Sequence, residues 1–112
     1  MRALTRLIFV DDNNEKIFGE GPYRLLRGVE ENGSLRATAI EMGMSYTKAL
    51  KLINNAEREL GFKFTTRVVG GKSGGGSILT DEGKAWLDKY EKYRDACVKE
   101  SERLYKEIYG NK

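Results

Sequence analysis

The sequence predicts a mainly α fold with a small β component, and three observations lead to this prediction. Gly33, Gly43 and Gly61 bound two stretches with helical periodicity, and each stretch opens with a serine. Two strand-like stretches follow, separated by a glycine-rich segment. The last part of the chain keeps a helical pattern from residue 81 to about Tyr109. This order predicts a winged helix-turn-helix, with an N-terminal β-hairpin before it and a long C-terminal dimerisation helix after it.

Length and composition are consistent with one small domain and a helical extension. The chain has 112 residues, a single proline and 33% charged residues. We expect residues 1–80 to form the winged helix-turn-helix with its hairpin, and residues 81–112 to form the dimerisation helix. The sequence shows no signal-peptide pattern and no apolar run long enough to span a bilayer, so we expect a cytoplasmic protein.

The hairpin is predicted from two extended patterns, Leu4–Val10 and Glu15–Phe18, with a turn cluster between them. Asp11 and Asp12 lie in that turn, where paired acids are typical of solvated turns. A metal site would need a third oxygen-rich segment, and none is evident. A helix that has Pro22 in its first turn and runs to Asn32 should follow and support the helix-turn-helix.

In the helix-turn-helix itself, Ser34 and Ser45 are N-cap candidates, and Gly43 supplies the turn between the two helices. The second helix should run from Ser45 to Gly61, where glycine stops it. One of its sides is apolar. The other side carries bases and hydrogen-bonding groups with no acid at its centre: Thr47, Lys51, Asn54 and Arg58, flanked by Lys48 and Asn55.

These side chains can donate to phosphates and read base edges in the major groove, which favours DNA binding. Residues 43–80 hold six basic and two acidic residues, whereas residues 81–112 are balanced, so positive charge is concentrated beside this helix. The alternative is that the same geometry serves a protein that never contacts nucleic acid.

The predicted wing consists of strands at Phe62–Val69 and Ser77–Thr80 around the tip Gly70–Gly76. Lys72 in that tip would approach the phosphate backbone. The Gly-Lys-Ser of the tip does not form a nucleotide-binding P-loop, because Thr66 stands where the motif needs a glycine and no helix follows. A linker without a partner is the alternative.

The C-terminal helix carries an apolar and aromatic stripe at spacings of three and four residues, too long for a small domain to cover. We expect a homodimer through it, with packing against the chain's own domain as the alternative. The interface residues predicted from the stripe are Trp86, Tyr90, Tyr93, Cys97, Leu104 and Ile108.

Catalysis and metal chemistry are disfavoured. The chain has no histidine and one cysteine, which removes the usual zinc sets and histidine-based catalytic arrangements. No nucleophile sits beside a base. We therefore expect a protein that is not an enzyme and uses no cofactor.

Two stretches carry a family resemblance: Gly43-Met44-Ser45-Tyr46-Thr47-Lys48-Ala49 with Ile53-Asn54 after it, and Gly70-Gly71-Lys72-Ser73-Gly74-Gly75-Gly76-Ser77-Ile78-Leu79-Thr80. Together they resemble the DNA-binding domain of the ModE family of molybdate-responsive transcriptional regulators, and the Leu79–Gly83 turn is similar to the related LysR-type domain. The resemblance implies a bacterial regulator whose dimer binds a palindrome, with Ser45, Tyr46, Thr47, Lys48 and Arg67 at the DNA. Whether Thr47 or Lys48 reaches a base stays open.

ModE regulators continue into a molybdate-binding domain, so we expect a regulator without its own sensor, served by a separate effector-binding protein or responding to another signal. The predicted partner is double-stranded DNA. The predicted DNA-contacting residues are Ser45, Tyr46, Thr47, Lys48, Lys51, Asn54, Arg58, Arg67 and Lys72. The alternative function is a protein-interaction module on the same fold, which would use the aromatic stripe.

Overall fold

The computed structural model describes residues 1–68 and 76–110, and its elements confirm the predicted mainly helical fold with a small β component. In chain order these elements are β1 (Phe9–Val10), β2 (Lys16–Phe18), α1 (Glu20–Asn32), α2 (Leu35–Glu41), α3 (Tyr46–Leu60), β3 (Thr65–Val68), β4 (Gly76–Leu79) and α4 (Asp81–Tyr105), and α4 continues into a π-helical turn (Lys106–Gly110). Within the described residues the four strands form two separate antiparallel pairs, β1 with β2 and β3 with β4. The tip that the sequence places at Gly70–Gly76, except Gly76, lies outside the described residues.

The N-terminal hairpin is shorter than its sequence pattern predicts. Its first strand was expected to begin at Leu4, but only Phe9 and Val10 pair with β2. The Asp11 carboxylate accepts hydrogen bonds from the backbone N–H groups of Asn13 at 2.8 Å and Glu15 at 2.9 Å, which is the turn role predicted for it.

Residues 1–8 precede β1 and form hydrogen bonds to α4 instead of pairing as a strand. The Tyr90 hydroxyl donates to the Leu7 carbonyl at 3.0 Å, and the Thr5 and Ser101 hydroxyls lie 2.6 Å apart. The Tyr105 hydroxyl donates to the Met1 carbonyl at 3.1 Å. The amino-terminal segment therefore follows α4 along its length.

Side-chain caps fix the starts of α2 and α3 as predicted. The Ser34 hydroxyl accepts from the Ala37 N–H at 3.0 Å and starts α2, and the Ser45 hydroxyl accepts from the Lys48 N–H at 3.1 Å and starts α3. Gly43 in the turn has φ of 70°, a conformation that side chains rarely tolerate. Helix α1 begins at Glu20 and ends at Asn32, so Pro22 lies in its first turn as predicted.

The β3–β4 pair packs on the junction between α1 and α2. Thr65 faces Leu79 and Val68 faces Gly76 in an unbroken register. The Ser77 N–H donates to the Gly33 carbonyl at 3.0 Å, and a Cβ at Gly76 would lie 2.6 Å from that same oxygen. The sheet is thereby fixed to the helical part of the fold by a backbone contact.

Part of the core is an aromatic cluster between the hairpin, the residues just before β3 and the first turns of α4. Phe18 and Phe64 are fully buried, and the Phe18 ring meets the Trp86 ring edge-on at a centroid distance of 4.5 Å. Trp86 in turn stacks on Tyr90, which is 2% exposed.

This cluster corrects the prediction that Tyr90 belongs to a dimer interface, because Tyr90 is buried, whereas Trp86 is half-buried and its place in an interface stays a prediction. Both side chains pack inside their own chain, because the hairpin covers the beginning of α4 with Phe9 and Phe18. The alternative, packing against the chain's own domain, therefore applies to Tyr90.

Charged contacts join α1 to α4. Arg27 on α1 donates to Asp88 and Glu91, both at 2.8 Å, and the Tyr23 hydroxyl donates to the same Glu91 oxygen at 2.9 Å. Arg94 lies over the Tyr23 ring at 4.8 Å. Of the helices in residues 1–68 and 76–110, none is both long and apolar enough to cross a membrane.

Candidate nucleic-acid interface

The outward face of α3 is the strongest candidate for a binding surface. Ala49, Ile53 and Ala56 are buried against the core, which turns the opposite side of the helix to solvent. Four of the predicted DNA-contacting residues are exposed together on that side: Thr47, Lys51, Asn54 and Arg58. Lys48 is also exposed, at one edge of the face. These side chains are thus exposed to solvent, and their contact with DNA stays a prediction.

The start of α3 is held by contacts that the sequence predicts only in part. Ser45 is the N-cap, so its hydroxyl oxygen is occupied by the Lys48 N–H at 3.1 Å. Tyr46 is half-buried, and the Arg36 guanidinium lies 4.2 Å from the centre of its ring. Arg36 belongs to α2 and was not among the predicted site residues.

Two residues near the middle and end of α3 have intramolecular partners. Asn55, predicted to flank the face, donates from Nδ2 to the Lys16 carbonyl at 3.3 Å and so connects α3 to the hairpin. Arg58 donates to the Asn55 side-chain oxygen and lies 3.7 Å from the Glu59 carboxylate. Arg58 is 68% exposed, so its guanidinium can exchange these partners for a phosphate.

Glu57 connects the end of α3 to the residues before β3, a role that no motif in the sequence indicates. One of its carboxylate oxygens accepts from the Phe64 N–H at 2.8 Å, and the other lies 3.6 Å from the Lys63 ammonium group. Its side chain is only 9% exposed. The contact sets the direction in which the chain leaves α3 and enters β3. No local pattern could have identified it, because the partner is a backbone amide beyond Gly61.

The β3–β4 pair adds one further cation beside α3. Arg67 on β3 is exposed, as the prediction requires. Val68 and Ile78 on the same strands are 40% and 54% exposed, which leaves part of this sheet uncovered in the described structure. Lys72, the remaining predicted contact, lies outside the described residues.

A second surface, on the far half of α4, collects the rest of the predicted dimer residues. Tyr93, Cys97, Leu104 and Ile108 line one shallow apolar groove of about 580 Å³, with Ala3 and Thr5 of the amino-terminal segment along its side. Tyr93 is 53% exposed and Ile108 68% exposed. This groove lies on a different element from the α3 face.

In the described part of the chain, no cluster of three or more histidine, cysteine, aspartate or glutamate side chains could hold a metal ion. What the α3 face offers is cationic and amide hydrogen-bond donors on a rigid helix. Such donors suit an anionic, hydrogen-bonding partner.

The sequence of this chain is similar to the sequences of several known proteins. Over 85 residues, or 72% of its length, the chain is 34% identical to the molybdenum transport protein ModE of Azotobacter vinelandii. Over 79 residues it is 33% identical to the DNA-binding transcriptional dual regulator ModE of Escherichia coli (strain K12). The chain resembles ModE-type regulators.

Another relative of this type is the molybdenum-pterin-binding protein MopB of Rhodobacter capsulatus, 35% identical over 66 residues. The aligned parts make up 32%, 30% and 24% of the Azotobacter, Escherichia and Rhodobacter proteins, so the chain spans about a third or less of the relatives it matches. No protein-family model matches the chain. The similarity supports a regulator-type role.

Proposed function

We propose that this chain is a winged helix-turn-helix domain of the ModE type that binds DNA sequence-specifically as a homodimer and regulates transcription in the cytoplasm. The observation that carries the proposal is the outward face of α3. It presents Thr47, Lys51 and Asn54 to solvent without an acid at its centre, while its opposite side is buried. A face of this composition suits the major groove.

Each exposed group has a role that its chemistry favours. Lys51 can donate to the O6 and N7 of guanine, and Asn54 can bind adenine with two hydrogen bonds. Thr47 can bind a base edge or contact a thymine methyl group. Lys48 and Arg58, at the edge and end of the face, suit backbone phosphates, and so does Arg67 on β3. Lys72 and Ser45 complete the proposed contacts with DNA, and the Tyr46 ring borders them beside Arg36.

Dimerisation would use the apolar groove on α4. The groove exposes Tyr93, Leu104 and Ile108, with Cys97 between them, and a twofold axis through it would bury these side chains against a second copy. Two α3 helices related by that axis would read half-sites about one turn of DNA apart, ~34 Å, or a multiple of that distance. A palindromic operator follows from this symmetry.

The test is selection of bound sequences from a pool of duplexes with a random central segment, followed by affinity measurements on the selected duplex and a scrambled one. The wild type should prefer the selected duplex, and its affinity should fall with salt at a log-log slope of about −0.9 per phosphate contacted. Lys51→Ala and Asn54→Ala should remove most of the preference. Lys89 is an exposed lysine on α4, and Lys89→Ala is the control because it removes the same charge as Lys51→Ala.

Absence of duplex binding by the folded wild type would refute the proposal. It would favour the second candidate, a protein-interaction module, for which the exposed apolar groove is the supporting observation. Retained preference in both α3 variants would contradict the assignment of α3 as the reading helix while leaving DNA binding intact.

A further inference from the structure

Arg36 is an exposed arginine on α2 whose charge is not neutralised by a carboxylate within residues 1–68 and 76–110. Arg27 and Arg94, on the helices that carry the core, form ion pairs at 2.8 Å with Asp88 and at 3.2 Å with Glu20. Arg36 instead lies over an aromatic ring, with its guanidinium carbon 4.2 Å from the centre of Tyr46. The structure thus fixes the direction of this side chain while leaving its charge available.

The position of the pair relative to α3 is specific. Tyr46 is the first residue of α3 and Arg36 the second of α2. At about 100° per residue, Tyr46 and Lys48 project roughly 200° apart around α3, so they lie at opposite edges of the outward face. The pair therefore places a cation at the edge facing α2, and Lys48 places one at the other edge. The face that carries Thr47, Lys51 and Asn54 has positive charge on both sides.

We propose that Arg36, positioned by Tyr46, binds a backbone phosphate of the duplex next to the groove that α3 enters. The proposal rests on the proposed function. In a helix-turn-helix the first helix crosses the DNA backbone, so a cation on α2 meets phosphates and not base edges. A guanidinium that contacts an aromatic ring makes no hydrogen bond to it through its N–H donors, and these donors can bind two phosphate oxygens. Tyr46 is a positioning residue in this arrangement.

A variant series measured on the selected duplex and the scrambled duplex tests this contact. Arg36→Ala should lower affinity about tenfold on both duplexes, because a phosphate contact carries no sequence information. The slope of log affinity against log salt concentration should become less steep by about 0.9, the value for one phosphate contact. Arg36→Lys should retain the slope but recover only part of the affinity, because an ammonium group contacts phosphate as a point charge.

Variants at Tyr46 test the positioning role. Tyr46→Phe keeps the ring and should bind DNA like the wild type. Tyr46→Leu should show most of the loss of affinity that Arg36→Ala shows. The double variant of Arg36→Ala and Tyr46→Leu should bind DNA at most about twofold more weakly than Arg36→Ala alone, because both substitutions remove the same contact. Lys89→Ala controls for net charge, and urea unfolding of each variant controls for folding.

An unchanged slope in Arg36→Ala, or a loss confined to the selected duplex, would overturn the phosphate assignment. Wild-type affinity in Tyr46→Leu would overturn the positioning role. If the wild type prefers its selected duplex and Lys51→Ala abolishes that preference while Arg36→Ala binds normally, this inference fails and the proposed function stands. If the wild type binds neither duplex, both fail.

Discussion

The Glu57 carboxylate accepts a hydrogen bond from the Phe64 backbone N–H at 2.8 Å, across the glycine that ends α3. Phe64 is fully buried, stacked against Phe18 at a centroid distance of 5.7 Å. A single side chain of the proposed reading helix thus fixes where β3 begins. The direction of α3 relative to the β3–β4 pair depends on this contact.

Glu57→Ala should destabilise the fold by about 1–3 kcal/mol, because it removes a hydrogen bond to a charged acceptor and leaves a buried N–H without a partner. Glu57→Gln retains an acceptor oxygen and should cost less. Urea unfolding monitored by tryptophan fluorescence measures both values. Glu59→Ala, on the exposed side of α3, is the control and should stay within about 0.5 kcal/mol of the wild type. Equal stability of Glu57→Ala and Glu59→Ala would contradict the assigned role.

Gly28 marks the closest approach of α1 and α2. A Cβ there would lie 2.3 Å from Cγ2 of Thr38, and Thr38 is only 3% exposed with its hydroxyl bonded to the Ser34 carbonyl at 2.8 Å. Gly28→Ala should therefore destabilise the fold by about 1–3 kcal/mol despite the better helix propensity of alanine.

Gly21 gives a matched control in the same helix, since a Cβ there meets no atom within 4 Å. Gly21→Ala should be neutral or stabilising by up to about 1 kcal/mol. Shrinking Thr38 to alanine in the Gly28→Ala background should recover part of the loss, measured by thermal unfolding. A stabilising Gly28→Ala would show that the two helices separate easily at this point.

Acid should weaken the connection between α1 and α4. The hydrogen bond from the Tyr23 hydroxyl, followed by those from Arg27, lowers the pKa of Glu91 in the folded protein. A group with a lowered folded pKa stabilises the fold above its unfolded pKa, and that contribution is lost as pH falls through the folded pKa.

Glu91→Gln should accordingly reduce the melting temperature at neutral pH, and the difference from the wild type should shrink on acidification below the ordinary pKa of a glutamate. Because Glu91 is 43% exposed, the effect should be small, at most about 1 kcal/mol. Glu102→Gln, an exposed acid further along α4, should show no such difference. A constant gap between wild type and Glu91→Gln at all pH values would contradict this account.

The apolar groove on α4 predicts that two copies of the chain associate through it. A charge placed in the groove should disrupt this association. Ile108 and Tyr93 are 68% and 53% exposed in the single chain, so Ile108→Glu and Tyr93→Glu should fold normally. Both should weaken dimerisation about a hundredfold or more, since each would bury an unpaired charge at an apolar contact. Sedimentation equilibrium measures the change, with Lys99→Glu as an exposed control on the same helix. A wild type that sediments as a monomer at high concentration would rule out this use of the groove.

Local sequence determined the helices and their caps. Ser34 and Ser45 bond to the amides three residues ahead, and Gly33, Gly43 and Gly61 adopt positive φ, all through interactions within a few residues. The alternation of polar and apolar residues along α3 also determined which side of that helix is buried, because a rigid helix fixes the direction of every side chain.

Tertiary structure alone decided which elements those helices meet. The stripe on α4 predicts an apolar contact, yet only the fold shows that the hairpin covers Trp86 and Tyr90 and leaves Tyr93 and Ile108 exposed. The same holds for Glu57 with the Phe64 amide and for Arg36 with the Tyr46 ring. Periodicity describes one element at a time, whereas these contacts join elements whose relative placement comes from packing the whole core.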